Sequence, residues 1–307
     1  QTVMLAGSAV SYAHGVVDPI ERIAALAAAR GLLCHVDACI GGFVLPYFRR
    51  LGGDVPAFDL SVDGVTSISC DLHKYGFAPK GSSVILYRDA ALRAHQIYAC
   101  SAWSGYTVVN TTVQSTKSGG PLAGAWAALN FIGDDGYMRL FGRMYDATRR
   151  ICAGIDAHPD LFLLAPPDAN LVAIGSNTVD VFHVCDEMRA RNWFIQPQLS
   201  FAGSPKNFHL SINPKADGWV DAFLADLDES VQTARSLPSG NLRGMIEAMM
   251  AAPGGLDVDA LMGALGVDGP ALPSRMAPIN EVLDVLPPAV RERLLVDFVN
   301  RLYAPRT

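Results

Sequence analysis

The feature that most constrains this chain is the order of apolar strand, helix and apolar strand over residues 3–36. Residues 3–6 form a short apolar run, and a Gly/Ser loop leads from it to Asp18-Pro19, a helix start with proline in its first turn. Ile20, Ile23, Ala24, Ala27 and Ala28 recur at helical spacing, and Gly31 ends the helix. Residues 32–36 read as a second, buried strand. Two strands joined through a helix lie parallel in one sheet with a right-handed crossover. Such sheets bind ligands beyond the carboxyl ends of their strands, and Asp37 stands at that end.

Further strands are predicted over 65–69 and 82–87, and helices over 121–131 and 137–158. Pro166-Pro167 marks a boundary. Beyond it, strands at 170–174 and 208–212 alternate with helices at 178–191 and 217–234, and Leu237-Pro238-Ser239-Gly240 reads as a linker. Helices at 242–251, 258–265 and 289–302 follow, with apolar faces that need a surface on the main body or on a second subunit. The expected organisation is a large α/β domain with a mostly parallel sheet (1–160), a small α+β domain (161–238) and a helical C-terminal extension (239–307). The chain has 307 residues, half of them hydrophobic and 18% charged, enough for a substantial core and unlike a disordered segment.

The net charge of −6, with no block of Lys and Arg, argues against nucleic acid as a partner. Cys34, Cys39, Cys70, Cys100, Cys152 and Cys185 lie in apolar segments without paired spacing, so reduced thiols and a cytoplasmic location are expected. No apolar stretch is long enough to cross a bilayer, and the first residues lack the basic flank of a secretion signal. They read as the middle of an α/β domain, so an upstream portion is expected.

The chemistry centres on Lys74, in the run Ser67-Ile68-Ser69-Cys70-Asp71-Leu72-His73-Lys74-Tyr75-Gly76-Phe77, and on Asp37, in His35-Val36-Asp37-Ala38-Cys39. A loop lysine and a strand-borne acid are what pyridoxal phosphate requires: an amine for its aldehyde, and an anion that keeps its ring nitrogen protonated. In an apolar pocket Lys74 would lose its charge more readily, because desolvation penalises the ammonium form. An unpaired carboxylate at position 37, amid Val36, Ala38 and Ile40, would be costly, and a protonated pyridine nitrogen would satisfy it. Cys39 shares the strand face with Asp37 and is expected to pack on the cofactor ring. Ser115-Thr116-Lys117-Ser118-Gly119-Gly120 offers backbone amides and a cation suited to a phosphate at a subunit junction. No metal is expected. His35, Asp37 and Cys39 on one extended strand suit a tetrahedral ion poorly, and no Cys-x-x-Cys or His-x-x-x-His pair supports one.

The stretches 7–15, 35–43 and 65–81 resemble the group II pyridoxal-phosphate-dependent decarboxylase family, and within it the sphingosine-1-phosphate lyases. The resemblance runs to about residue 236 and weakens beyond Lys117. It implies the type I fold of pyridoxal-phosphate-dependent transferases, with Lys74, Asp37 and Tyr12 catalytic and His73, Cys39, Gly119 and Gly120 binding cofactor. Tyr12, His14, Lys117 and Ser118 would meet the substrate or its phosphate. Lys117 stands where the lyases show Arg, and it keeps the charge without the two-pronged fork. The family carries a Gly-rich phosphate loop and a ring-stacking histidine in its upstream portion.

The implied reaction is cleavage of a phosphorylated long-chain sphingoid base into a fatty aldehyde and phosphoethanolamine, in a homodimer with shared sites that meets membranes only through its substrate. An amino-acid decarboxylase would use the same Lys and Asp; Tyr12, His14 and the Ser118-Gly119-Gly120 loop favour the lyase. A noncatalytic subunit or fragment is the alternative of another class.

Overall fold

A computed structural model of the chain describes residues 1–114, 116–237, 244, 246, 263 and 273–303. They fall into two compact units: Gln1–Arg149 with Ala165–Val172 and Ser211–Asp217, and Arg150–Leu164 with Ala173–Leu210 and Gly218–Thr307.

In the first unit, β1 (Met4–Ser8), β2 (Leu33–Asp37) and β3 (Ser67–Cys70) run parallel, and β4 (Val84–Tyr87) closes the order β1-β2-β3-β4 antiparallel to β3. Alternation along β2 decides which way the sheet faces. Cys34 and Val36 are fully buried, whereas Leu33 and Asp37 are exposed. The buried side meets α1 (Ile20–Ala29), whose Ile20, Ala24 and Ala27 face inward, and α2 (Gly41–Arg50), which buries Val44, Leu45 and Phe48. The opposite side leaves Met4, Leu33 and Val84 exposed, unusual for a largely parallel sheet, which is normally covered on both faces.

Helix α2 runs against local propensity, because it contains Gly41, Gly42 and Pro46. Its packing explains it: a Cβ at residue 41 would lie 2.2 Å from the Ala9 carbonyl oxygen, so only glycine lets the helix start so close to the chain leaving β1. The short helix α3 (Ala90–Ala94) and the hairpin β5 (Tyr98–Cys100)/β6 (Val108–Asn110) follow. Helix α4 (Gly119–Asp156) is broken at Gly133 (φ 61°, ψ 172°), where the sequence reading left its gap between two helices.

The second unit contains a sheet of order β7-β8-β10-β9, built from β7 (Leu161–Leu163), β8 (Leu171–Ser176), β9 (Gln196–Gln198) and β10 (Asn207–Ser211). Its helices are α5 (Val181–Ala190), capped by the Asp180 carboxylate, α6 (Val220–Ser236), α7 (Ala277–Val285) and α8 (Pro288–Leu302). Asp186 accepts from the backbone N–H groups of Met276 and Ala277 and so ties the start of α7 to α5. Ile246, Val282, Leu286 and Leu294 form a local core there. The helices expected at 242–251 and 258–265 lie outside the described residues except for isolated positions. Among the described residues no helix is long and apolar enough to cross a membrane.

Candidate active site

Parallel pairing of β2 with β3 sets Asp37 opposite Ser69, so both strands deliver their carboxyl ends to the same edge. The chain leaves each strand there and the two exits are laced together: Ala38 N–H donates to the Ser69 carbonyl, and Asp71 N–H donates to the Cys39 carbonyl. The Asp37 carboxylate accepts through Oδ1 from Cys39 N–H (3.0 Å) and the Ser69 hydroxyl (3.5 Å).

The loop after β3 folds on itself. Lys74 N–H donates to the Asp71 carbonyl, and His73 N–H to the Ser82 carbonyl. Because a carbonyl only accepts, His73 Nδ1 at 2.8 Å from the Ser82 oxygen carries the proton. Lys74 Nζ lies 2.9 Å from Asp71 Oδ2, and Asp71 Oδ1 takes a 2.5 Å hydrogen bond from the Ser83 hydroxyl. Lys74 and Asp37 both act on the proton affinity of the Cys39 thiol. The lysine and acid read from the sequence thus stand at the carboxyl-end edge that β2 and β3 share.

The electrostatics correct one expectation. Burial does draw the Lys74 ammonium down, but the Cys39 thiol and the Asp71 carboxylate outweigh it, and the amine sits above the ordinary lysine value. Lys74 is thus an ion-paired ammonium, not a neutral amine in an apolar pocket. Asp71 is held below the usual carboxylate range: burial pushes it up, and the Ser83 hydroxyl and Lys74 more than reverse that. Burial raises the Cys39 thiol and pushes Cys70 up to about 12, so both are neutral thiols near neutrality. Burial lowers His35, whose Nδ1 and Nε2 contact the Ser67 and Ser69 hydroxyls.

Tyr12 and His14 lie on the loop after β1, and Gly15 anchors that loop. It has φ 70°, and a Cβ there would lie 2.1 Å from the Leu171 carbonyl oxygen. Its own carbonyl accepts from Asp168 and Ala169 N–H, while Asp168 Oδ2 accepts from Val17 N–H. The exposed Tyr12 hydroxyl raises the proton affinity of Tyr75, the residue after the lysine, alongside the larger effect of burial.

Lys117, Ser118 and Gly119 line an open groove of about 750 Å³ with Leu72, Ser82, Ser83 and Val84. Neither Lys74 nor Asp37 takes part in it. Gly120 N–H donates to the Ser118 hydroxyl beside this groove, and Ser115 lies outside the described residues.

Sequence reasoning missed Asp71, Ser83, Tyr75 and Asn170. Asp71 was signalled by standing three residues before Lys74 in a turn. Asn170, which is buried and donates to the Tyr75 hydroxyl (2.5 Å) and the Ile212 carbonyl (2.7 Å), had no local signal. Among the described residues no group of three or more His, Cys, Asp or Glu side chains is gathered as a metal site needs. All six cysteines are free thiols.

These residues fit pyridoxal phosphate: a primary amine and an acid stand at the carboxyl-end edge of neighbouring parallel strands. Comparison with known proteins agrees. The family described as "Pyridoxal-dependent enzyme, C-terminal putative HTH domain" matches residues 240–301. Sphingosine-1-phosphate lyase of Arabidopsis thaliana is 42% identical over 253 residues, covering 82% of this chain and 46% of the relative. The lyase of Saccharomyces cerevisiae is 33% identical over 237 residues, 76% of this chain and 40% of its own. The structure of Burkholderia pseudomallei sphingosine-1-phosphate lyase superposes with a TM-score of 0.72 at 36% identity, over 81% of this chain and 56% of that one. Lactobacillus brevis glutamate decarboxylase, at 18% identity and TM-score 0.62, shares the fold alone. The chain spans less than half the length of the two lyases matched by sequence. Over some four fifths of its residues the chain is similar to sphingosine-1-phosphate lyases, and it has the type I fold of pyridoxal-phosphate-dependent enzymes.

Proposed function

We propose that the chain is the lysine-bearing part of a pyridoxal-phosphate-dependent aldehyde-lyase, which cleaves a phosphorylated long-chain sphingoid base into a fatty aldehyde and phosphoethanolamine. The observation that carries this reading is the register that sets Asp37 at the carboxyl end of β2, laced to the exit of β3 whose loop bears Lys74. When bound, pyridoxal phosphate supplies an aldehyde for an amine and a protonated ring that takes up the electron pair of the breaking Cα–Cβ bond.

The chain's residues do the rest. Lys74 Nζ would hold the cofactor through its aldehyde and, once free, would move protons at the reacting carbon. The Asp37 carboxylate would hold the proton of the ring nitrogen. Tyr12 and His14 approach from the loop that Gly15 fixes, where a hydroxyl can take the proton of the substrate alcohol as the C–C bond opens. One proton leaves that alcohol and one returns to Cα, so aldehyde and amine products balance. His73, its Nδ1 committed to Ser82, turns Nε2 toward Asp71 at 3.7 Å and shapes the cofactor-binding loop.

Lys117, Ser118, Gly119 and Gly120 serve a phosphate at a subunit junction, in a homodimer with shared sites. Two features support that: the groove lined by Lys117, Ser118 and Gly119 excludes Lys74, and the same segment exposes Trp103, Tyr106, Val113, Leu122, Trp126 and Phe131, side chains that an interface would cover. A cytoplasmic setting is supported by the six free thiols.

The test is Lys74→Ala in the full-length protein. Turnover of the phosphorylated base falls by at least about a thousandfold, as for loss of a covalent catalytic group, and the visible absorbance of bound cofactor disappears. Retention of both would defeat the reading.

A further inference from the structure

The charge of Lys74 rests on a carboxylate that is itself held in place. Asp71 is 17% exposed at its side chain and uses both oxygens: Oδ2 for the lysine at 2.9 Å, Oδ1 for the Ser83 hydroxyl at 2.5 Å. The turn is closed by Lys74 N–H on the Asp71 carbonyl and by His73 N–H on the Ser82 carbonyl, so donor and acceptor sit on one rigid loop. A lysine with four rotatable bonds would otherwise swing freely, since its side chain is 32% exposed.

We infer that Asp71 is the positioning residue of the Lys74 amine: Ser83 fixes the carboxylate, and the carboxylate receives the lysine whenever Nζ is not bonded to cofactor. This rests on the reading of Lys74 as the cofactor lysine and adds what holds that lysine between bonds. Bond formation needs the neutral amine, so the ammonium first gives its proton to solvent, and condensation with the aldehyde then releases one water. When a substrate amine displaces Lys74, the freed Nζ takes up a proton and docks on Asp71, within reach of the site it must return to.

The groups around Nζ come from every neighbouring element. The loop contributes Asp71, His73 and Tyr75, the end of β2 contributes Asp37 and Cys39, and the end of β3 contributes Cys70. Burial raises both thiols and the tyrosine, which are neutral at pH 7. Asp71 is the anion in direct contact with the ammonium, whereas Asp37 is engaged by Cys39 N–H and the Ser69 hydroxyl.

The experiment is cofactor capture. The full chain is mixed with pyridoxal 5′-phosphate across a pH series, the bond to lysine is fixed with borohydride, and the mass increase is read for wild type, Asp71→Asn and Ser83→Ala. The midpoint of capture moves about one pH unit lower in Asp71→Asn, seen as roughly tenfold faster capture at a fixed pH below both midpoints. Ser83→Ala moves it the same way by less, because the carboxylate keeps its charge but loses its anchor. Circular dichroism checks folding, and Ser83→Ala carries the test should Asp71→Asn unfold. Wild-type capture with both variants unshifted overturns the role of Asp71 alone. Wild type that captures no cofactor at any pH overturns the cofactor reading beneath it.

Discussion

The lysine loop and the segment from Tyr98 to Phe131 belong to the same unit, yet they are built on opposite principles. In the loop each functional group is fixed by its neighbours: Asp37 by strand register and Cys39 N–H, Lys74 by Asp71, Asp71 by Ser83. In the segment, Gly119 has no atom within 4 Å of where a Cβ would stand, and Trp126 and Phe131 are 68% and 92% exposed. The first region is preorganised by its own chain. The second leaves large apolar side chains in solvent and holds its phosphate-loop glycine loosely. A site assembled from both would have its covalent chemistry prepared in advance, with its phosphate grip arriving on assembly.

Glycines break or confirm that contrast most sharply. Gly15→Ala forces a Cβ to 2.1 Å from the Leu171 carbonyl at φ 70°, and should destabilise the chain by about 3 kcal/mol in urea unfolding. Gly119→Ala meets nothing, so its stability should stay within about 0.5 kcal/mol of wild type. Equal costs at the two positions would mean that the segment is as tightly built as the loop, and the comparison would fall.

The same contrast explains what could be read from the sequence. The placement of Asp37 at the end of β2 and of Lys74 in the loop after β3 was legible, because both are local consequences of alternation and turns. The parallel sheet, α1 and the break near Gly133 followed from periodicity and punctuation. Helix α2 did not, since Gly41, Gly42 and Pro46 speak against a helix locally. Burial of Val44, Leu45 and Phe48 and the close pass of Ala9 decide for one. Asp71 lay in plain view, but its pairing depends on the shape of the turn, and that pairing reversed the expected charge state of Lys74. Asn170 reaches Tyr75 across 95 positions, a contact no local pattern announces.

If the exposed segment is a subunit junction, Trp126→Asp removes a central aromatic anchor and places a charge in its stead. Association of the full-length protein should weaken about thirtyfold, the effect of some 2 kcal/mol, as read by sedimentation velocity over a dilution series. Chain stability below the dissociation point should be unchanged, because Trp126 is exposed. An unaltered sedimentation profile would remove Trp126 from any interface and with it the explanation for the exposed run.

The smallest effect is expected at Lys117, and it separates the two regions most finely. Its groove shares Leu72, Ser82 and Ser83 with the base of the lysine loop but excludes Lys74 and Asp37, so a change there should leave cofactor absorbance untouched. What should change is the grip on a phosphate. Lys117→Ala removes one partly hydrated cation, worth about 1 kcal/mol, and should raise KM for the phosphorylated substrate about fivefold at nearly constant kcat. Lys117→Arg supplies a fork that binds phosphate through two N–H groups and should bring KM back to the wild-type value or below it. A fall in kcat or in bound cofactor, with KM unmoved, would place Lys117 with the chemistry of Lys74 and dissolve the division between a prepared loop and a surface completed on assembly.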